Sequence, residues 1–285
     1  MRLAKTSDRA CTQCHGDLTD KDKHVPPTFA VNISGFDQTH PEFAVLRSGR
    51  DPGTIKLNHA LHLKANLRGP GGPVQLKCVD CHRAPGVEAI NYERHCAGCH
   101  PLEFDRRIGE PAPHQEPRVV YEFVVKRLTE YIAAHPQEIK LMAETDTRLP
   151  GRPLQPPARN AAEWLQQRLA DAQLLLWRKS CKECHTLSLP NGPHGLPEVA
   201  QAMIPARWMP HSRFDHQAHQ MMACTSCHPK ALTSSETSDV LIPGIQVCRE
   251  CHHSGAKAAE ARCFECHVYH DWSKKKRGAG IAALP

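Results

Sequence analysis

Aromatic side chains are scarce in this chain: Phe, Tyr and Trp together make up 5% of its 285 residues. Mean hydropathy is low, at −0.51. A chain so poor in large apolar side chains lacks the material for an ordinary core, so something other than Leu and Phe must fill its interior. It contains no run of 18 apolar residues, which excludes a membrane-spanning helix within it. The opening stretch MRLAKTSDRA, Met1 to Ala10, lacks the apolar centre of a secretory signal. No cysteine is left outside a C-x-x-C pair.

What the chain has instead is cysteine in one repeated pattern. Its 14 cysteines form the pairs Cys11/Cys14, Cys78/Cys81, Cys96/Cys99, Cys181/Cys184, Cys224/Cys227, Cys248/Cys251 and Cys263/Cys266. Histidine follows each second cysteine, as His15, His82, His100, His185, His228, His252 and His267. With histidine at 20 of 285 residues, seven such followers by chance have a probability on the order of one in a hundred million. The histidine therefore belongs to the motif, and C-x-x-C-H is the attachment signature of c-type haem. Zinc ribbons use C-x-x-C without requiring a histidine after each pair. A thioredoxin-like pair would occur once, beside a βαβ pattern. A disulfide framework would not hold every cysteine to one spacing.

The spacing suits the chemistry. Two cysteines three apart share one face of a helical turn, so both sulfurs reach the two vinyl groups of one porphyrin. The next residue offers a ring nitrogen to the iron, and a backbone or carboxylate acceptor fixes its other nitrogen. Seven covalent haems leave about 41 residues for each. The expected fold class is mainly α with extensive irregular loops and little β structure, a multihaem architecture with the haems as the core. The cofactor also changes the charge. The protein alone is formally +6. Two propionates per haem add about fourteen negative charges and ferric iron about seven positive, leaving roughly −1 oxidised and −8 reduced. No nucleic-acid partner is implied. The run KKKR, Lys274 to Arg277, reads as a solvated tail. Haem c is attached outside the cytoplasm in bacteria, so the periplasmic or extracellular side of the membrane is expected, with any signal or anchor outside this sequence.

Cysteine placement divides the chain into a three-haem region (1–112), a haem-free connector (113–180) and a four-haem region (181–285). In residues 113–135, apolar side chains at 120, 123, 124, 128, 131 and 132 mark a helical stripe. Pro117 suits its first turn and Pro136 follows its end. A second helix is expected from about 161 to 179, with Asn160 and Glu163 as a capping pair. Trp164, Leu165, Leu169 and Leu176 share its face, and it runs into Cys181. Residues 149–160 read as a linker. The two haem regions form a loose repeat: LNHALHL (57–63) and FDHQAHQ (214–220) each place an H-x-x-H ahead of a group of motifs.

A six-coordinate iron needs a second axial ligand, and thirteen histidines remain to supply it. His59 and His62, like His216 and His219, lie three apart and diverge by about 60° on a helical turn. One of each pair can serve the motif that follows and the other a neighbouring haem. At these two blocks the chain resembles the low-potential class III multihaem c-type cytochromes, the trihaem and tetrahaem, bis-histidine kind. In that family an F-x-H-x-x-H ahead of the first motif supplies distal ligands to two haems. Phe214, His216 and His219 match it; Leu57, His59 and His62 match it with Leu for Phe. Four further candidates are His270, His211, His114 and His95. These make eight for seven places, so one is surplus unless it reaches a neighbouring chain. His40 is held in reserve. His24, His135, His194 and His253 read as solvent or capping residues. Met221 and Met222 sit too close to Cys224 to compete with His216.

The function expected from this reading is electron transfer along closely packed, low-spin, bis-His haems between redox partner proteins, a membrane quinol-oxidising or reductase complex among them. The chain is then a carrier, not an enzyme. The alternative is a multihaem oxidoreductase with one open-site haem acting on a small nitrogen or sulfur compound; the C-x-x-C-K that marks such a site in multihaem nitrite reductases does not occur. A third reading, compatible with the first, is a subunit of a respiratory membrane complex or of a self-assembling extracellular filament.

Overall fold

Most of the chain folds as short helical turns joined by loops, and the turns follow the motifs. The computed structural model describes residues 7–16, 33, 35–37, 39–83, 89–141, 148–149, 151–189, 195–205, 208–209 and 211–268. The helices are α1 (Asp8–His15), α2 (Ala44–Ser48), α3 (His59–His62), α4 (Cys78–Cys81), α5 (Tyr92–His95), α6 (Pro117–Ala134), α7 (Ala161–Leu175), α8 (Cys181–Cys184), α9 (Cys224–Cys227), α10 (Ile245–Arg249) and α11 (Cys263–Cys266). Two antiparallel ladders accompany them: β1 (Leu67–Gly69) with β2 (Gly72–Val74), and β3 (Leu187–Ser188) with β4 (Glu198–Val199). The protein is mainly helical with little sheet. No helix among the described residues is long and apolar enough to cross a membrane. Each C-x-x-C-H closes one turn on itself. His82, His100, His185, His228, His252 and His267 each donate N–H to the carbonyl of the motif's first cysteine, at 2.8–2.9 Å.

The long helices form where side chains permit an ordinary core. Along α6, Val120, Val124, Leu128 and Ile132 recur every four residues and are buried. Pro117 occupies the first turn, where its missing N–H costs nothing. On α7 the buried positions are Trp164, Arg168, Ala172 and Leu175. Asn160 caps it by accepting from Glu163 N–H at 2.9 Å, and Glu163 reaches back to accept from Arg159 N–H at 2.8 Å. The buried Arg168 is neutralised by Asp171 at 3.2 Å. Tyr131, near the end of α6, lies 6.0 Å from Trp164, near the start of α7, so the two helices run antiparallel. Beyond Leu175 a π-helical turn, Leu176–Ser180, leads directly into α8.

The described residues divide into two units. One comprises Met1–Arg50, Ala206–Pro229 and Val240–Pro285; the other comprises Asp51–Pro205 and Lys230–Asp239. These units cut across the regions 1–112, 113–180 and 181–285 drawn from cysteine spacing. Hydrogen bonds are the cause. Leu57 N–H donates to Thr237 Oγ1 at 2.8 Å and Ala60 N–H to the Ser234 carbonyl at 2.9 Å, which ties 230–239 to the first H-x-x-H. The continuous run from α7 to α8 carries Cys181 into the same unit. The main apolar cluster, which includes Leu102, Phe104, Val124, Leu128, Trp164 and Trp177, also lies in that unit. Among described residues of the other unit the buried apolar side chains are Phe43, Val240 and Ile245. Leu128 is fully buried between α6 and its neighbours. Leu128→Ala is expected to cost about 2–5 kcal/mol. Chemical denaturation followed by far-UV circular dichroism measures it, and an unchanged midpoint would show that this cluster does not hold the unit together.

Candidate metal centres

Among the described residues, six of the seven motif histidines face a second histidine at nearly one distance. Ring centres are 6.5 Å apart for His59 and His82, 6.3 Å for His62 and His100, and 5.8 Å for His114 and His185. The other unit gives 6.5 Å for His216 and His228, 6.1 Å for His219 and His252, and 5.7 Å for His40 and His267. Imidazoles bound on opposite sides of one metal ion, with bonds of about 2.0–2.1 Å, have centres about 6.4 Å apart. Tyr92 on His114 and Tyr131 on His135, which simply stack, are closer at 4.3 and 4.2 Å.

The chain fixes these rings locally. In α3, Asn58 caps the turn by accepting from Leu61 N–H at 2.7 Å, and its carbonyl accepts from His62 Nδ1 at 2.8 Å. His219 Nδ1 donates to the Asp215 carbonyl at 2.8 Å in the same i to i−4 manner. Phe214 touches both partners of its H-x-x-H, with ring centres 4.7 Å from His216 and 4.8 Å from His219. Each H-x-x-H then divides its histidines between two motifs, the first to the next motif and the second to the one after. At the third place in the unit of His185, Lys56 clamps the motif: its N–H donates to the Cys184 carbonyl at 2.8 Å, and Nζ to the carbonyls of Lys182 and His185 at 3.0 and 3.2 Å.

Motif histidines in the other unit are oriented from behind. His228 Nδ1 donates to the Leu241 carbonyl at 2.8 Å, His252 Nδ1 to Glu260 at 2.7 Å, and His267 Nδ1 to His211 at 2.8 Å. This leaves Nε2 as the free donor to a metal. His59 Nδ1 and His185 Nδ1 are buried with no hydrogen-bond partner among the described residues. His15 ends α1, and its carbonyl accepts from Ile33 N–H at 2.8 Å.

Two of the motifs depart from the regular helical turn. In α4, α8, α9 and α11 the two cysteines of a motif share one helical turn, as the spacing requires. Cys99 and Cys251 do not share a helix with their partners in this way. The preceding helices run into their motifs and stop short, α5 at His95 and α10 at Arg249. Each second cysteine therefore lies beyond the helix end and is exposed. There an i to i−3 bond accompanies the i to i−4 bond of the following histidine: Cys99 N–H donates to the Cys96 carbonyl at 3.0 Å, and Cys251 N–H to the Cys248 carbonyl at 3.2 Å. The two cysteines of these motifs thus share a hydrogen-bonded turn rather than a regular helix. Cys14 stands in α1, and its side chain lies outside the described residues. Among the described residues, thirteen cysteines are free thiols.

Not every expected iron ligand reaches such a place either. His95 turns back to its own helix cap, its Nδ1 lying 2.9 Å from both Asn91 N and Asn91 O. His211 Nδ1 lies 2.8 Å from the buried Glu42 carboxylate, which also accepts from Ser212 Oγ at 3.1 Å. His211 thus supports His267 through its carbonyl rather than facing it. His40, the reserve candidate, is the residue that faces His267. The sequence held one weak sign of this: His40 stands between Phe36 and Phe43, with ring centres 6.4 and 6.1 Å away. His270, His24 and His194 fall outside the described residues.

Electrostatics favour neutral ligands. Burial, and then the facing motif imidazole, hold His40, His59 and His216 below the ordinary imidazole value. Burial, then His114 and Lys56, do the same for His185. Burial pushes the Cys181 thiol up to about 11, and burial with the neighbouring Asp8 pushes Cys263 up to about 12. Burial thus favours the protonated form of both thiols. No three His, Cys, Asp or Glu side chains converge among the described residues as a protein-only metal cage requires. The donor set at each place is two imidazoles, with two thiols on the adjoining turn. That set fits a metal whose other four ligands come from a macrocycle held by thioethers, which is haem c.

Comparison with protein-family models, with curated proteins and with solved structures returned no match.

The two histidines beside His267 can be told apart in protein matured with haem. His40→Ala is expected to open one iron to carbon monoxide, whereas His211→Ala opens none. Carbon monoxide difference spectra of the reduced variants decide it, and the reverse result would restore His211 as the ligand.

Proposed function

We propose that the chain is a heptahaem c-type cytochrome that transfers electrons between redox partner proteins. The observation that carries this reading is the set of six histidine pairs, each spanning 5.7–6.5 Å. Haem iron supplies one-electron exchange between its ferric and ferrous forms at low potential when two histidines are its axial ligands. The cysteines, Cys14, Cys99 and Cys251 included, hold the cofactor covalently through thioethers. The paired histidines would hold the metal from two sides and keep substrate and water from it, which favours a conduit over an enzyme.

The division of each H-x-x-H between two motifs supports a close approach of neighbouring centres. Residues three apart on one turn cannot hold distant metals. It also supports kinship in ligand arrangement with the class III cytochromes, since Phe214 packs on both histidines of its block. Contacts with donor and acceptor proteins are weak and transient in such carriers. Periplasmic or extracellular placement follows from where haem c is attached.

The test is electron paramagnetic resonance of the oxidised holoprotein, with a haem count and a carbon monoxide titration of the reduced form. Seven low-spin signals and no carbon monoxide uptake are expected. One high-spin haem that takes up carbon monoxide would replace the carrier reading with an enzyme acting on a small nitrogen or sulfur compound. Fewer than seven haems would sink the reading at the motifs left empty.

A further inference from the structure

In the unit that contains His82, His100 and His185, one side chain touches two of the three candidate centres. Tyr92 opens α5, whose end delivers Cys96: Cys96 and Ala97 both donate N–H to the Tyr92 carbonyl at 2.9 Å. The Tyr92 hydroxyl donates to the carbonyl of His100 at 2.6 Å. Its ring lies on the His114 imidazole, with centres 4.3 Å apart and planes 22° apart. His114 in turn faces His185 at 5.8 Å. On the other side of His100, the turn of α3 links its pair to that of His82, because His59 and His62 lie three residues apart. The pairs therefore follow in the order His82, His100, His185, with Tyr92 at the second joint.

We propose that Tyr92 is a positioning residue that fixes the plane of the His114 imidazole and joins the second and third centres of this unit into one relay. This rests on the haem reading above. The orientation of an axial imidazole sets the splitting of the iron orbitals to which it binds. Rotating one ring alters the magnetic anisotropy and the potential of that centre alone. A stacked aromatic ring removes this freedom. The hydroxyl keeps the stack in place, since it is anchored to the backbone of the neighbouring motif. Tyr92 is neither oxidised nor reduced: one electron leaves one centre and reduces the next.

The experiment compares the holoprotein with its Tyr92→Phe and Tyr92→Leu variants by haem count, electron paramagnetic resonance and potentiometric titration. Both variants are expected to retain seven haems. One low-spin signal and one titration step should move, the same one in both, and further in Tyr92→Leu, which loses the ring as well as the hydroxyl. Seven unchanged signals and steps in Tyr92→Leu would overturn the proposal, and so would changes spread evenly over all seven. If Tyr92→Leu does not mature, Tyr92→Phe decides alone: one displaced signal supports the role and none overturns it. A wild-type protein without haem would instead sink the haem reading itself.

Discussion

Everything in this protein depends on holding pairs of imidazoles about 6 Å apart without letting them collapse. Rings at that separation gain little from packing on one another, so their positions must be fixed from outside the pair. For five of the rings the backbone does this. His62 and His219 are pinned to carbonyls one turn back, and His228, His252 and His267 to carbonyls of other segments. The bonds that fix each ring also leave Nε2 available. On the haem reading, the scarcity of aromatic and apolar side chains is the other side of the same constraint, because large flat cofactors would leave less interior for Leu and Phe.

The two units solve this constraint in the same order. In each, an H-x-x-H precedes two motifs and gives its first histidine to the nearer and its second to the farther. The third pair breaks the correspondence. His114 lies downstream of its H-x-x-H, whereas His40 lies upstream. The likeness therefore resides in a block of about forty residues, from His59 to His100 and from His216 to His252, and the material around each block differs. Within the blocks it extends to a detail of the backbone. In both, the farther motif is the one whose helix ends early, leaving Cys99 and Cys251 beyond its end.

What could be read from the sequence was what is local in it. C-x-x-C-H and H-x-x-H are set by the helical period, so spacing reveals them. The stripe of α6 and the cap at Asn160 are equally local. Pairings across long separations leave no such trace. His40 meets His267 across 227 residues of chain, and nothing in the residues around His211 distinguished a support from a ligand. His95 looked eligible for its closeness to Cys96, but a histidine at the end of a short capped turn is drawn to that turn's own backbone. Spacing alone also did not show that Cys99 and Cys251 lie past a helix end, because a three-residue separation suits an α turn and a tighter turn alike. The grouping of Cys181 with the earlier motifs was hidden as well. It depends on the continuous run from α7 into α8 and on Lys56, whose only sequence signature is being a lysine near a histidine pair.

The pair α6 and α7 acquires a purpose from where its ends lie. Because the helices are antiparallel, the start of α6 and the end of α7 come to one side. His114 stands just ahead of α6, and Cys181, Cys184 and His185 continue from α7 through the π-helical turn. Both faces of the His185 centre are thus carried by the one part of the chain with a conventional apolar core. The wider π turn adds a residue to the helical ladder and so rotates the cysteines that follow it, a means of aiming a site that such turns often serve. The remaining centres are built on single turns and loops, whose order must come largely from what they bind. The His185 centre rests on helices with a packed apolar core. On the haem reading, both of its histidines are placed by that packing, and the role proposed for Tyr92 is to carry the same order to the centre next to it.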